Sequence, residues 1–372
     1  MSSQIEVLNP ATGLAIGTVD NASIADCLHA VDMAHDAFVP WKNTAPRVRS
    51  EILRKAFDIM IAEQEELART ITLEMGKVLS DARAEVAYAA EFFRWFSEEA
   101  VRIDGDYRRA PSGSNWLLVS CQPVGVALLA TPWNFPAAMA TRKIGPALAA
   151  GCTVVLKPAH DTPLTALAIA DILRRAGVPH GVVNVVVADP PGPAVEAMLN
   201  SGKVRKLSFT GSTRVGSLLL AQAAQHVINC SMELGGNAPL IVCADADIDV
   251  AVDGAMLAKM RNGGAACTAA NRFYVHDQVL SEFTDKFTAR MAALQLGDGL
   301  DPSTTLGPLV SRAQQQRVAD AVAGAVSRGA KVLCGGSAST EPAFGYQATV
   351  LAEVSPHDEI LQDEIFGPVA AL

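Results

Sequence analysis

The sequence predicts an α/β protein in which a parallel β-sheet is covered by helices on both faces. Between about residues 124 and 224, short apolar runs alternate with longer runs of helical spacing. This alternation is typical of βαβ units, in which each helix connects two parallel strands. Half of the 372 residues are hydrophobic and 19% are charged. The chain therefore has enough apolar surface for a large core divided among two or three domains.

Each part of the chain has its own pattern. Residues 22–100 are predicted to be helical because Ala, Glu and Arg are frequent and apolar residues recur at helical spacing, as at Leu53, Ala56 and Met60. A lone strand is expected at 116–120. The alternating region predicts strands at 124–131, 152–156, 182–187 and 206–209, and helices at 137–150, from 163, at 193–200 and from about 214. A second alternating stretch after residue 233 predicts helices at 247–261, 278–294 and 311–328.

Charge and cysteine content exclude several classes of protein. The net charge of −9 argues against a nucleic-acid partner. The most apolar stretch, 144–156, is short and broken by Gly and Pro, and the first basic residue is Lys42, so neither a membrane span nor a targeting peptide is expected. Seven scattered cysteines without a C-x-x-C pair favour a reducing compartment and no metal site, and most of them are expected to be buried. These features predict a cytoplasmic protein that is not bound to a membrane.

Three short runs carry the groups needed to oxidise an aldehyde through a thioester. Cys267 lies in Arg-Asn-Gly-Gly-Ala-Ala-Cys, Glu233 in Met-Glu-Leu-Gly-Gly-Asn-Ala-Pro, and Asn134 in Thr-Pro-Trp-Asn-Phe-Pro. A thiolate can add to an aldehyde, an amide N–H can stabilise the resulting alkoxide, and a carboxylate can activate the water that hydrolyses the thioester. Alone, the cysteine would more often be buried and inert, the asparagine part of a turn, and the glutamate a solvated strand end. Together and in this order, they resemble the NAD(P)-dependent aldehyde dehydrogenase superfamily over essentially the whole chain.

The resemblance implies a fold, a domain division and roles for these residues. An aldehyde-dehydrogenase-like protein has a Rossmann-type parallel sheet domain and an α/β catalytic domain. Here they would be residues 1–235, interrupted by an oligomerisation strand segment at about 105–123, and residues 236–372. The apolar, strand-like end at 365–372 has no polar tail, and family members continue beyond it. The catalytic domain is therefore expected to be incomplete at its C-terminus, with homo-oligomers expected only if the missing segment is present.

Cofactor residues follow from the same resemblance. The segment Phe209–Gly216 joins a predicted strand to a helix, whose N-terminus can hold a pyrophosphate. Lys157 matches the family's donor to the adenosine ribose, and Glu364 matches its carboxylate to the nicotinamide ribose. The implied contacts to NADP or NAD are Trp133, Lys157, Pro158, Ala159, His160, Gly211, Ser212, Thr213, Arg214, Val215, Gly216, Leu234 and Glu364.

Two departures from the family pattern bear on the cofactor and the nucleophile. His160 replaces a glutamate that repels the 2′-phosphate of NADP in many NAD-preferring members. We therefore predict that NADP is accepted, although a tolerated surface substitution is the alternative. Ala265 stands where glutamine is usual before the nucleophile, which leaves the role of that amide open.

Two arginines predict the substrate class. Arg142 follows Asn134 by eight residues, and Arg261 precedes Cys267 by six. They match the arginines that bind the substrate's distal carboxylate in succinate-semialdehyde dehydrogenases, the closest group within the superfamily. Each charge-assisted bond is worth about 1.5–3 kcal/mol. A semialdehyde of another acid, or a broad range of aliphatic aldehydes, remains an alternative, as do a cysteine hydrolase and a truncated chain that binds dinucleotide without turnover.

Overall fold

The structure is a computed structural model and describes residues 3–372. Its Cα positions divide the chain into two compact units. Unit 1 comprises residues 3–5, Val19–Leu67 and Ala84–Glu233, and unit 2 comprises Glu6–Thr18, Ala68–Arg83 and Leu234–Leu372. The predicted α/β class is confirmed, since both units combine a largely parallel sheet with helices. The roles of the two predicted domains stay predictions.

The sheet of unit 1 has the strand order β7-β6-β5-β8-β9. Parallel pairing joins β5 to β6, β5 to β8 and β6 to β7. Every residue of β5 and β6 is buried, which explains why these strands are continuous apolar runs without alternation. The strands are β5 (Val126–Ala130), β6 (Thr153–Lys157), β7 (Val183–Val185), β8 (Val204–Gly211) and β9 (Asn229–Leu234).

The helices of this region begin close to where the sequence predicts. Pro163 occupies the first turn of its helix, as expected, because proline lacks the N–H that would have no acceptor there. The helices are α1 (Ile24–Lys42), α2 (Pro46–Ala62), α3 (Gln64–Met75), α4 (Leu79–Glu99), α5 (Pro136–Ala149), α6 (Pro163–Ala176), α7 (Pro191–Asn200) and α8 (Thr213–Ala224). Helices α3 and α4 pass from one unit into the other.

Two further sheets have only two strands each. Strands β1 (Gln4–Leu8) and β2 (Ala15–Asp20) form one of them and were not predicted. The predicted strand at 116–120 is β4 (Trp116–Val119), which pairs antiparallel with β3 (Asp106–Arg109). Tyr107 and Trp116 stack at 5.0 Å across this hairpin while remaining exposed. The partner strand β3 was missed because its Asp-Tyr-Arg-Arg sequence has no apolar run.

The sheet of unit 2 has the order β10-β11-β14-β13-β12. All its pairings are parallel except that of β12 with β13. Phe273, Phe283 and Phe287 lie in one apolar core, and Val318, Leu351 and Val369 lie in another. The elements are β10 (Ala238–Val242), α9 (Ile248–Met260), β11 (Ala270–Val275), α10 (Asp277–Ala292), α11 (Arg312–Ser327), β12 (Lys331–Cys334), β13 (Thr349–Ala352) and β14 (Val369–Ala371).

Two expectations are wrong. The strand-like run at 365–372 is a strand only at β14, because Phe366 has a φ of 55° and interrupts the extended backbone. Most cysteines are not buried. Within residues 3–372, Cys27 and Cys152 are buried, whereas Cys230 and Cys334 are partly buried and the others are exposed. Across the same residues, no helix has the length and apolar character needed to cross a membrane.

Candidate active site

Asn134 lies in the loop between β5 and α5 of unit 1. The loop leaves the carboxyl end of a buried strand, and its first residue, Thr131, donates its N–H to the Lys157 carbonyl at 3.1 Å. Asn134 is only 5% exposed, and α5 begins two residues later at Pro136. A buried carboxamide at the carboxyl end of a parallel strand is well placed to act on a ligand, because ligands of open α/β sheets bind at that edge.

Arg142 and Lys143 are consecutive residues of α5 with different environments. The Arg142 guanidinium lies 5.7 Å from the centre of the Phe92 ring. The Lys143 Nζ is buried and donates to Ser208 Oγ at 2.8 Å. Burial, aided by the positive charge of Arg142, lowers the pKa of Lys143 to about 8, and Glu233 opposes this shift. Sequence reasoning missed Lys143, since nothing in a helical run shows that a lysine is buried.

Glu233 is the last residue of unit 1 and lies near the end of β9. It is exposed, in a strand whose side chains alternate between exposed and half-buried positions. Its negative charge acts on Lys143 of the same unit. An exposed carboxylate at a strand end can exchange protons with water, as a general base must.

The predicted adenosine site lies at the end of β6. Lys157 is buried, and burial lowers its pKa to about 8 against the opposing charges of Asp161 and Asp189. Pro158 is buried, whereas Ala159 and His160 are partly exposed. His160 Nε2 lies 3.9 Å from Asp161 Oδ2. A carboxylate therefore lies next to His160, contributed by the neighbouring residue of the chain.

The predicted pyrophosphate site lies where β8 joins α8. Ser212 caps the helix, with its Oγ accepting from the Val215 N–H at 3.4 Å. Ser212, Thr213 and Arg214 are exposed, and Gly216 is buried. A Cβ at Gly211 would lie 2.5 Å from the Phe209 ring, so this position accommodates only glycine without a shift of that ring. The exposed helix N-terminus, with its positive end, suits an anion.

Cys267 of unit 2 follows a strained segment. Helix α9 ends at Met260, and a 3₁₀ turn covers Arg261–Gly264. Asn262 has a φ of 56°, and its Nδ2 donates to the Ala265 carbonyl at 2.9 Å. Gly264 has a φ of 80°, and a Cβ there would lie 2.2 Å from the Gly367 carbonyl. The backbone therefore requires glycine at 264.

The thiol and the arginine of this segment are accessible. Ala265 and Ala266 are buried, whereas Cys267 and Arg261 are exposed. Asp81 of the same unit accepts a hydrogen bond from the backbone N–H of Asn262. This bond and the positive charge of Arg261 both act to lower the pKa of Asp81. Burial raises the pKa of Asp81, despite the nearby positive charge of Lys77.

Glu364 lies against the turn that follows β9. Its Oε2 would be 2.4 Å from a Cβ at Gly235, and the Gly236 N–H hydrogen-bonds to the carboxylate. Burial raises the pKa of Glu364, although Arg317 and Lys259 oppose the shift. Leu234, which begins this turn, is partly exposed. Within this unit, the absence of side chains at Gly235 and Gly236 thus lets the Glu364 carboxylate lie close to the backbone of the turn.

Lys259 is a fully buried lysine of α9 that sequence reasoning also missed. Its Nζ donates to Asn271 Oδ1 at 3.1 Å, and both residues are almost completely shielded from water. Burial lowers the pKa of Lys259 to about 7. The only signal in the sequence is a lysine within the apolar run Ala-Met-Leu-Ala-Lys-Met, which could equally be a surface position.

Each unit, taken by itself, has groups that could contact part of a dinucleotide. Among residues 3–372, no hydrogen-bond partner reaches the buried Oε1 of Glu364, which leaves an acceptor for a hydroxyl group. Lys157 can donate to a ribose, and the start of α8 can hold a pyrophosphate. No cluster of three or more His, Cys, Asp or Glu side chains that could hold a metal ion occurs in the described part of the chain.

Comparisons with known proteins identify the family. The profile of the aldehyde dehydrogenase family matches residues 1–372. A succinate-semialdehyde dehydrogenase of Paenarthrobacter nicotinovorans is 52% identical over 355 residues, which cover 95% of this chain and 79% of the relative. A glutarate-semialdehyde dehydrogenase of Pseudomonas putida is 47% identical, with coverage of 99% and 76%.

A solved structure described as an NADP-dependent enzyme of E. coli superposes with a TM-score of 0.97 at 46% identity, covering 100% of this chain and 77% of that one. The chain therefore belongs to the aldehyde dehydrogenase family.

Proposed function

We propose that the protein oxidises succinate semialdehyde to succinate with NADP or NAD, through a thioester on Cys267. The observation that carries this proposal is the 52% identity, over 95% of the chain, with a succinate-semialdehyde dehydrogenase. The site residues agree with it, because a thiol, a carboxamide, a carboxylate and two arginines occupy the expected positions in the sequence.

The first step is the attack of the Cys267 thiolate on the aldehyde carbon. Exposure of this thiol lets a substrate reach it. The aldehyde oxygen becomes an alkoxide, which the Asn134 side-chain amide and the Cys267 backbone N–H stabilise. Such donors lower the barrier because they are already oriented toward the oxygen on which charge develops.

The cofactor, when bound, supplies the acceptor for the hydride that leaves the substrate carbon. Lys157 would contact its adenosine ribose, Ser212–Gly216 its pyrophosphate and Glu364 its nicotinamide ribose. Trp133 and Leu234 complete the proposed contacts.

Release of the acid requires water. Glu233 removes a proton from the water molecule that attacks the thioester carbonyl, and Cys267 departs as a thiolate, ready for another cycle.

Arg142 and Arg261 are proposed to hold the distal carboxylate of the substrate. Since the chain has a net charge of −9, its overall field opposes an anionic substrate, and local cations must compensate. A glutarate semialdehyde carries the same groups with one more methylene. The relative of Pseudomonas putida makes it the second candidate substrate.

The test compares three aldehydes: succinate semialdehyde, glutarate semialdehyde and an uncharged aldehyde of similar length. Wild-type protein should show the highest kcat/KM with succinate semialdehyde. Arg261→Ala should raise KM for the two semialdehydes by about 10–100-fold, as expected for one lost charge-assisted bond, and leave the uncharged aldehyde nearly unaffected.

Arg290→Ala is the control, because it removes an exposed arginine of the same unit that forms an ion pair with Asp253 at 2.8 Å. It should leave every KM unchanged. Equal effects of Arg261→Ala on charged and uncharged aldehydes would contradict the carboxylate role. Ester hydrolysis without any nucleotide reduction would instead favour a cysteine hydrolase.

The proposed site of action is the cytoplasm. The free thiols found throughout the described residues support a reducing compartment, in which an enzyme that depends on a reduced cysteine retains its nucleophile.

A further inference from the structure

The N-terminus of α5 lacks a local cap. Pro136 occupies its first turn, and the side chain of the capping residue, Phe135, has no hydrogen-bond acceptor. The N–H groups of the next residues have no carbonyl partner within the helix, because the first turn of any helix leaves its donors unsatisfied. They are also buried, so water cannot satisfy them at low cost.

Glu85 of α4 supplies the missing acceptor. Its Oε1 accepts from the Ala137 N–H at 2.8 Å and from the Ala138 N–H at 3.2 Å. The carboxylate is only 3% exposed. Two charge-assisted bonds and the positive end of the helix compensate for its burial.

Burying the Glu85 carboxylate costs more free energy than capping a helix requires. A Ser at position 135 could cap α5 locally, without removing a charge from water. A carboxylate from a distant helix instead ties the start of α5 to α4, and so fixes the last residues of the preceding loop. The other end of this loop is held by the bond from Thr131 to Lys157. Asn134 lies between these two attachments, three residues before Ala137.

We propose that Glu85 is a positioning residue for Asn134: by holding the first turn of α5, it orients the amide that stabilises the alkoxide. This inference rests on the proposed function. It assigns a role in turnover to a side chain that touches neither the substrate nor the cofactor.

The experiment is a double-mutant cycle of Glu85→Ala and Asn134→Ala, measured as kcat and KM for succinate semialdehyde. Asn134→Ala should lower kcat by about 10²–10³-fold. Glu85→Ala should lower kcat by roughly 10–100-fold with little change in KM, yet less than about twofold in the Asn134→Ala background, because the same stabilisation is already lost.

Glu85→Gln provides a conservative variant that also covers the case in which Glu85→Ala does not fold. Its Oε1 can still accept both N–H bonds, so kcat should stay within roughly threefold of wild type, and that loss should again vanish in the Asn134→Ala background. Ser23→Ala is the matched control, since it removes the cap of α1 in the same unit. It should lower Tm without changing kcat.

The outcomes separate the two levels of the proposal. Full turnover in Asn134→Ala would overturn the oxyanion role in the proposed function. A loss of kcat in Asn134→Ala, combined with a Glu85→Ala effect of equal size in both backgrounds, would overturn only the positioning role. A general structural defect lowers kcat by the same factor whether or not Asn134 is present.

Discussion

The two units present their functional groups in different ways. In unit 1, Asn134, Lys157 and the start of α8 lie at or just after the carboxyl ends of the parallel strands β5, β6 and β8. In unit 2, Cys267 follows a 3₁₀ turn with positive φ angles at Asn262 and Gly264. The first arrangement is a general consequence of parallel-sheet topology. The second depends on particular backbone strain, and strained backbone is commonly found at functional sites.

The two regions should therefore respond differently to substitution. Strand-end loops take their position from a buried sheet, so single side-chain changes there should alter binding more than folding. The segment 261–267 depends on its own backbone, so changes of glycine there should affect both folding and turnover.

The largest effect is expected at the reacting atom of the strained segment. Cys267→Ala should lower turnover by more than about 10³-fold, because no other group can form the thioester. Binding of NADPH, followed by fluorescence titration, should be retained. Cys243→Ala, another exposed thiol of unit 2, is the control and should keep full turnover. Substantial turnover in Cys267→Ala would remove the nucleophile from this segment.

The backbone requirement is tested at Gly264. Gly264→Ala should lower the free energy of unfolding by about 2–4 kcal/mol, since the new Cβ meets the Gly367 carbonyl at a positive φ. Urea denaturation measures this change.

Gly254→Ala, on the exposed side of α9 with no atom near its Cβ, is the matched control. It should be neutral or stabilising by up to about 1 kcal/mol, because alanine is the better helix former. Similar behaviour of the two variants would mean that the segment is not strained.

The buried lysine just before this segment predicts a pH dependence of stability. The unfolded chain keeps this amine protonated up to about pH 10, whereas folding lowers the pKa of Lys259 to about 7. The unfolded state therefore binds more protons between these values, and the free energy of unfolding should rise with pH, by up to about 1.4 kcal/mol per pH unit. Lys143 and Lys157 contribute with the same sign above about pH 8.

Lys259→Met should reduce this slope, as measured by denaturation at pH 7, 8 and 9. Lys331→Met removes an exposed lysine of the same unit and should leave the slope unchanged. An identical slope in Lys259→Met and wild type would show that the buried amine does not lose its proton on folding.

The smallest effect is expected at a strand-end loop of unit 1. His160→Glu should lower the ratio of kcat/KM for NADP to that for NAD by about tenfold, because a second carboxylate beside Asp161 repels the 2′-phosphate. His180→Glu, an exposed loop position of the same unit, should leave the ratio unchanged. A strong preference of the wild-type protein for NAD would discard the prediction that His160 favours NADP.

The same comparison explains what could be predicted from the sequence. Helix and strand positions of the parallel region followed from apolar periodicity, and the predicted helix at 137–150 differs from α5 by one residue at each end. Motif resemblance supplied the candidate site residues, and their roles stay predictions. The buried state of Glu85, Lys143 and Lys259 could not be predicted, because a charged residue in a helical run is shielded only by neighbours that are distant in sequence.

The central claim is the thioester on Cys267, and trapping it is the most direct measurement. Glu233→Gln, mixed with NADP and succinate semialdehyde, should produce a burst of about one NADPH per active site and then stall, because hydrolysis lacks its base. Peptide mass spectrometry should then find a succinyl group on Cys267. Continued turnover at the wild-type rate, or a succinyl group on a different residue, would contradict the account.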